Sequence, residues 1–267
     1  MTQWLVFVVI ALAFVGSGYL IGRYFLASLL QKPAGGQPVS TPSNTNKGTT
    51  ITAQIQTKPV TFYRVQVGAF STKENADKVV QAVAEKGLGA ATIAPDPLYK
   101  VFCGVTGTKE AADKLSQSAQ AKLAGTVIGK DDKLYVATTA LPAKSFSLSG
   151  DKAVVEELQS AFAKSDNVIA SLLSFYDSLY LGTQNPVNLA TMASDIAAVK
   201  NSLSGLVPPE ALKAAHASAL KIASDLSAAV DIARQAAGGD SAKAGPAASA
   251  FIKAVDTYMQ ETKKLSP

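Results

Sequence analysis

The chain has one cysteine, Cys103, and one histidine, His216. A lone thiol excludes an intrachain disulfide, and with one imidazole the usual Cys/His zinc sets cannot be assembled. A strongly basic face is missing too. The net charge is +5, but the excess sits on Arg23, Lys32, Lys47, Lys58 and Lys144, outside the two segments that read as folded. Both segments are close to neutral, which argues against a nucleic-acid binder. No cofactor box or catalytic constellation is evident, so the expectation is a non-enzyme with no cofactor and no metal.

Long apolar runs are scarce, with one exception. Trp4 to Gly22 is uncharged and largely apolar over 19 residues. As a helix it would span about 28 Å, near a bilayer's hydrocarbon thickness. It reads as a single transmembrane anchor within residues 1–32, with Trp4 and Tyr24 at interfacial positions and a Gly18/Gly22 pair suited to helix contact. A cleaved signal peptide fits less well, because no Lys or Arg precedes the run. Arg23 and Lys32 follow it, and the positive-inside rule alone would leave the rest of the chain in the cytoplasm; with only two cations voting, an extracytoplasmic C-terminal part remains the expectation. Residues 33–60 are rich in Pro, Gly, Ser, Thr and Asn and read as a flexible tether with a typical reach of about 30 Å.

An internal repeat follows. Tyr63, Val65, Gly68, Thr72, Lys73, Glu74, Ala76, Asp77 and Lys78 recur 36 residues later as Tyr99, Val101, Gly104, Thr108, Lys109, Glu110, Ala112, Asp113 and Lys114. Each copy reads as strand, glycine turn and helix. Ser71 with Glu74 forms a capping-box pattern, Gly87 stops the first helix, and Thr108 suits the second N-cap. Ala90 to Ile93 can be a short strand, and Thr126 to Ile128 with Leu134 to Ala137 can flank a turn at Asp131 and Asp132. The order is βαββαβ over residues 61–140.

Val65, Gln66, Val67, Gly68, Ala69 and Phe70, then Ser71, Asn75 and Ala76, then Tyr99, Lys100, Val101 and Gly104, give this segment a pattern that resembles the SPOR (sporulation-related repeat) domain. The resemblance implies an α+β fold, a four-stranded antiparallel sheet with two helices on one face. It also implies binding to peptidoglycan glycan strands stripped of their stem peptides, at a division or sporulation septum. With its anchor, tether and helical C-terminal region, the layout is similar to the stage II sporulation protein B group.

Strand alternation puts Val65, Val67, Val101 and Cys103 on the helix-covered face. Arg64, Gln66, Lys100 and Phe102 then lie on an open face that offers donors, acceptors and an apolar plate to a sugar. Ser71 matches a position near the glycan. These five are the candidate glycan-binding residues: Arg64, Gln66, Ser71, Lys100 and Phe102. Each has a plainer reading as surface charge, helix cap or packed side chain. Cys103 reads as a small buried hydrophobe.

From Ser149 the chain is Ala-rich, with stops at Gly182, at Gly205 with Pro208 and Pro209, and at Gly238 with Gly239. Alternating steps of three and four mark four seams. They run from Val155 to Leu179, Leu189 to Leu203, Leu212 to Ala229, and Ala248 to Leu265. Residues 147–267 therefore read as a four-helix bundle that meets a septal partner protein, with His216 a bland histidine beside its seam. Two other functions stay open: a wall-hydrolase accessory or regulator, and an intracellular RNA-binding module, since βαββαβ also describes an RNA-recognition fold.

Overall fold

Alternation in Phe62 to Val67 and in Tyr99 to Cys103 produces the two central strands of a sheet that the computed structural model describes in full. Residues 49–266 are described, except 95–96, 130–131 and 186. The expected anchor and most of the expected tether lie outside them. No described helix is long and apolar enough to cross a membrane.

The elements in order are β1 (Thr50–Gln56), β2 (Val60–Phe70), α1 (Lys73–Glu85), β3 (Ala91–Ile93), β4 (Tyr99–Thr106), α2 (Lys109–Leu123), β5 (Tyr135–Leu141), β6 (Ser145–Asp151), α3 (Lys152–Leu181), α4 (Leu189–Gly205), α5 (Lys213–Ala237) and α6 (Ala244–Leu265). The four-stranded sheet has the order β3-β4-β2-β5, with every pair antiparallel. Its first face carries α1 and α2. Val65, Val101 and Cys103 from the strands meet Ala76, Val83, Ala112, Leu115, Ala119 and Leu123 there in one buried cluster. The βαββαβ order and the pair of helices on one face agree with the sequence.

Several local expectations change. Thr72, not Ser71, caps α1: its hydroxyl accepts from the Asn75 N–H at 3.3 Å, as Thr108 accepts from Ala111 in the second copy. The 36-residue repeat pairs these two threonines. Gly87, with φ of +70°, ends the first helical segment as expected. Thr126 to Ile128 makes only an isolated bridge to Ala124, not a strand.

A larger correction concerns the tether over 33–60, whose last part is strand β1, paired along its full length with β6. Ile51, Ala53 and Ile55 turn inward while Thr52, Gln54 and Gln56 face solvent, so a composition poor in apolar residues still has a buried side. Asp151 ends β6 and caps α3, accepting from the Ala153 and Val154 N–H groups. The helical region consequently starts at Lys152, not at Ser149.

The four helices follow the seams closely. Val155, Leu158, Phe162, Ile169, Leu172 and Tyr176 of α3 are buried with Ile196, Leu203, Ile222, Leu226, Phe251 and Val255. Leu179 departs from its seam and is 53% exposed, in the last turn before the Gly182 cap. His216 is half-buried, with Nε2 2.7 Å from the Leu203 carbonyl oxygen. The segments 61–140 and 147–267 are not separate bodies: the described residues belong to one compact unit.

Candidate functional site

The second face of the sheet should be open; it is partly roofed. Phe62 (0% exposed), Phe102 (1%), Ala91 and Val105 share one continuous core with the bundle residues Tyr176, Phe251 and Val255. Helix α6 crosses this face. Near its start the α6 backbone comes so close to the α1–β3 loop that a Cβ on Gly89 would lie 2.4 Å from the Gly245 carbonyl oxygen. The Ala90 N–H donates to Ser249 Oγ at 2.9 Å. Farther along, Asp256 comes near enough to Arg64 for their charges to attract, and Met259 and Lys263 line a small cavity with Leu141 and Pro142. The end of α3 is fastened to the β4–α2 turn, where Asp177 Oδ1 accepts from the Gly107 and Thr108 N–H groups.

Register tells which candidates share this face, because directly paired residues on neighbouring strands point the same way. Gln66 pairs with Phe102 on one side and with Tyr135 on the other, and Phe102 pairs with Ala91. One row therefore runs Ala91, Phe102, Gln66, Tyr135. A bulge at Val67 reverses the alternation of β2, so that Ala69, opposite Lys100, returns to the same face. Lys100 also pairs with Ile93.

The face thus has a covered half and an uncovered strip. Phe62, Arg64 and Phe102 belong to the covered half. Arg64 is half-buried, with its guanidinium carbon 4.5 Å from the Phe102 ring centroid, a cation–π contact, and its Nε is buried without a hydrogen-bond partner. Burial pushes the guanidinium below its ordinary pKa while Asp256 opposes the shift; burial pushes Asp256 up, with Arg64 and Lys221 opposing. Gln66 and Lys100 are half-buried, and Ala69 is exposed.

So the structure brings Arg64, Gln66, Lys100 and Phe102 to one face, as expected, but takes Phe102 out of reach of any ligand in this arrangement. Its plate is spent on the bundle core. Ser71 stands apart, exposed in the β2–α1 turn and free of the capping role read for it.

Tyr135 was not among the candidates. It is 64% exposed, beside Gln66 in the same row, and is the accessible aromatic ring of the strip. A signal for it existed. Leu134 and Val136 turn toward the helix-covered core, which by alternation sends Tyr135 to the other side.

The chemistry available on the strip is polar contact without reaction: an amide, an ammonium, a phenol ring and exposed backbone edge. Cys103 is buried on the opposite face, and burial pushes its thiol up to about 12, so it is no nucleophile. Among the described residues no cluster of three or more His, Cys, Asp or Glu side chains could hold a metal ion.

Residues 59–129 match the SPOR domain family. Strand β5, with Tyr135, lies beyond the matched segment. A solved structure, the solution structure of the peptidoglycan binding domain of the B. subtilis cell wall lytic enzyme CwlC, is 28% identical in sequence, covering 32% of this chain and 95% of that one, with a TM-score of 0.25. No curated protein matches the chain.

Proposed function

With the SPOR match over residues 59–129 as premise, we propose that this protein binds the glycan strands of peptidoglycan, without catalysis, through the uncovered strip of its sheet. The observation that carries the reading is the row of Gln66 and Tyr135 beside Lys100, left accessible on a face otherwise roofed by helices. A pyranose ring presents an apolar face and a rim of hydroxyls. Tyr135 offers a plate for the first, and the Gln66 amide and Lys100 ammonium offer donors and an acceptor for the second.

Sedimentation of the full-length protein with amidase-treated peptidoglycan sacculi tests this. Gln66→Ala and Tyr135→Ala should each weaken the affinity about tenfold, the worth of one stacking contact or one well-made polar contact. Unchanged pelleting of both variants would overturn the assignment of the strip. A second reading is favoured by the burial of Phe62, Arg64 and Phe102: the sheet serves only as an internal platform for the bundle, and no glycan binds. Absence of pelleting by the wild-type chain would select it.

We also propose that residues 4–22 anchor the chain in the cell membrane, with the sheet and bundle outside the cytoplasm at the septum and the bundle meeting a septal protein. The apolar run and the location of the proposed ligand support this. An alkaline phosphatase fusion after Pro267 should be active in intact cells, and an inactive fusion expressed at the same level would reverse the orientation.

A further inference from the structure

A glycan that lies along the strip also meets the side of α6. Lys253, Asp256 and Gln260 recur at steps of three and four, which places them on one stripe of that helix. Two observations set the stripe beside the sheet, and a third ties its members together. Lys253 lines a cavity of about 390 Å³ with Ala91, Thr92 and Tyr99 and with Lys73 and Asp77 of α1, so it sits at the β3 edge, where the two faces of the sheet meet. The Asp256 carboxylate attracts Arg64, two residues before Gln66 on β2, from beyond ion-pair distance. The Gln260 amide donates to Asp256 Oδ2 at 2.6 Å, which holds both side chains on this flank. The other flank of α6 belongs to the bundle, where Phe251 stacks on Tyr176 at 5.0 Å and Val255 is buried.

From this geometry we infer that the bundle is a structural part of the saccharide site: α6 forms its wall, with Lys253 and Gln260 contacting the chain, while Gln66, Ala69, Lys100 and Tyr135 form the floor. The result is a groove with two sides in place of a flat sheet. Its wall sets a cation, a carboxylate and an amide beside the floor's amide, ammonium and aromatic ring. That alternation of donors, acceptors and one ring face fits the hydroxyl and amide rim of an extended N-acetylated polysaccharide. An apolar peptide would find too little to bury there, since the apolar residues of α6 already face the sheet and the bundle. Asp256 adds an attraction to Arg64 at the groove's inner corner, without forming an ion pair with it.

The inference rests on the glycan-binding reading, and sedimentation of the full chain separates the two. Lys253 and Gln260 are both exposed, so Lys253→Ala and Gln260→Ala should leave the thermal unfolding midpoint unchanged. Each should weaken pelleting with amidase-treated sacculi about threefold to tenfold, and Lys200→Ala on α4 should have no effect. If the floor variants Gln66→Ala and Tyr135→Ala lose affinity while both wall variants bind as wild type, the wall is wrong and the glycan reading stands. If the wild-type chain itself fails to pellet, both fall. Loss in floor and wall variants alike, with Lys200→Ala unaffected, is the result expected.

Discussion

Phe102→Ala should destabilise the whole protein by about 3–5 kcal/mol, the usual cost of removing a fully buried aromatic ring and leaving a cavity. The ring is 1% exposed and sits where three elements meet: its neighbour Ala91 on β3, the Arg64 guanidinium on β2, and the bundle core under α6. Its loss therefore acts on both sides of the seam between sheet and bundle. Hydrogen exchange checks this directly, because amides of α5 and of β4 should lose protection in parallel and unfold in one transition. Retention of wild-type protection in α5 while β4 opens would show that the two regions are energetically separate. For the same reason a fragment limited to residues 60–140 should not hold its fold. It would lay Phe62 and Phe102 open to water, at about 1.5–3 kcal/mol for each such side chain.

Asp166→Ala should cost about 3 kcal/mol, and Asp166→Asn far less. Asp166, on α3, is buried and ties three parts of the chain together: Oδ2 accepts from the Lys58 N–H at 2.8 Å and Oδ1 from the Tyr258 hydroxyl at 2.5 Å. Alanine leaves both donors without a partner, which carries most of the penalty, whereas asparagine keeps one acceptor oxygen.

The sign of the pH dependence distinguishes the carboxylate from its amide. Burial raises the Asp166 pKa above that of the unfolded chain, with the Tyr258 and Lys58 hydrogen bonds opposing. The folded state thus holds this proton more tightly. Its contribution to stability is complete below the unfolded carboxylate pKa and declines as the pH rises toward the folded value, then levels off. Asn titrates nothing, so the stability of Asp166→Asn relative to wild type should improve as the pH is raised through that window. Parallel curves across it would show that the carboxyl is not strained by burial.

Periodicity and the 36-residue repeat determined the elements. They were sufficient for both helix-bearing copies, for the four helices after residue 149, for the helix-covered face with Val65, Val101 and Cys103, and for the common face of Arg64, Gln66, Lys100 and Phe102. Steps of two and of three or four report which side of an element is apolar, and neighbouring residues impose them. Tertiary structure alone decided what lies against each apolar side. Ile51, Ala53 and Ile55 find a partner strand about a hundred residues later, and nothing near them in the chain announces it. Phe62 and Phe102 lie on the face that reads as open, and both an exposed sugar plate and a buried core ring leave the same period-two trace. A sign of the cover was present in α6, where Ala247, Ile252 and Ala254 are buried off the bundle seam, because a helix apolar on more than one stripe has more than one neighbour. Which neighbour it has depends on contacts between residues more than a hundred positions apart, and their energies enter only once the chain has folded.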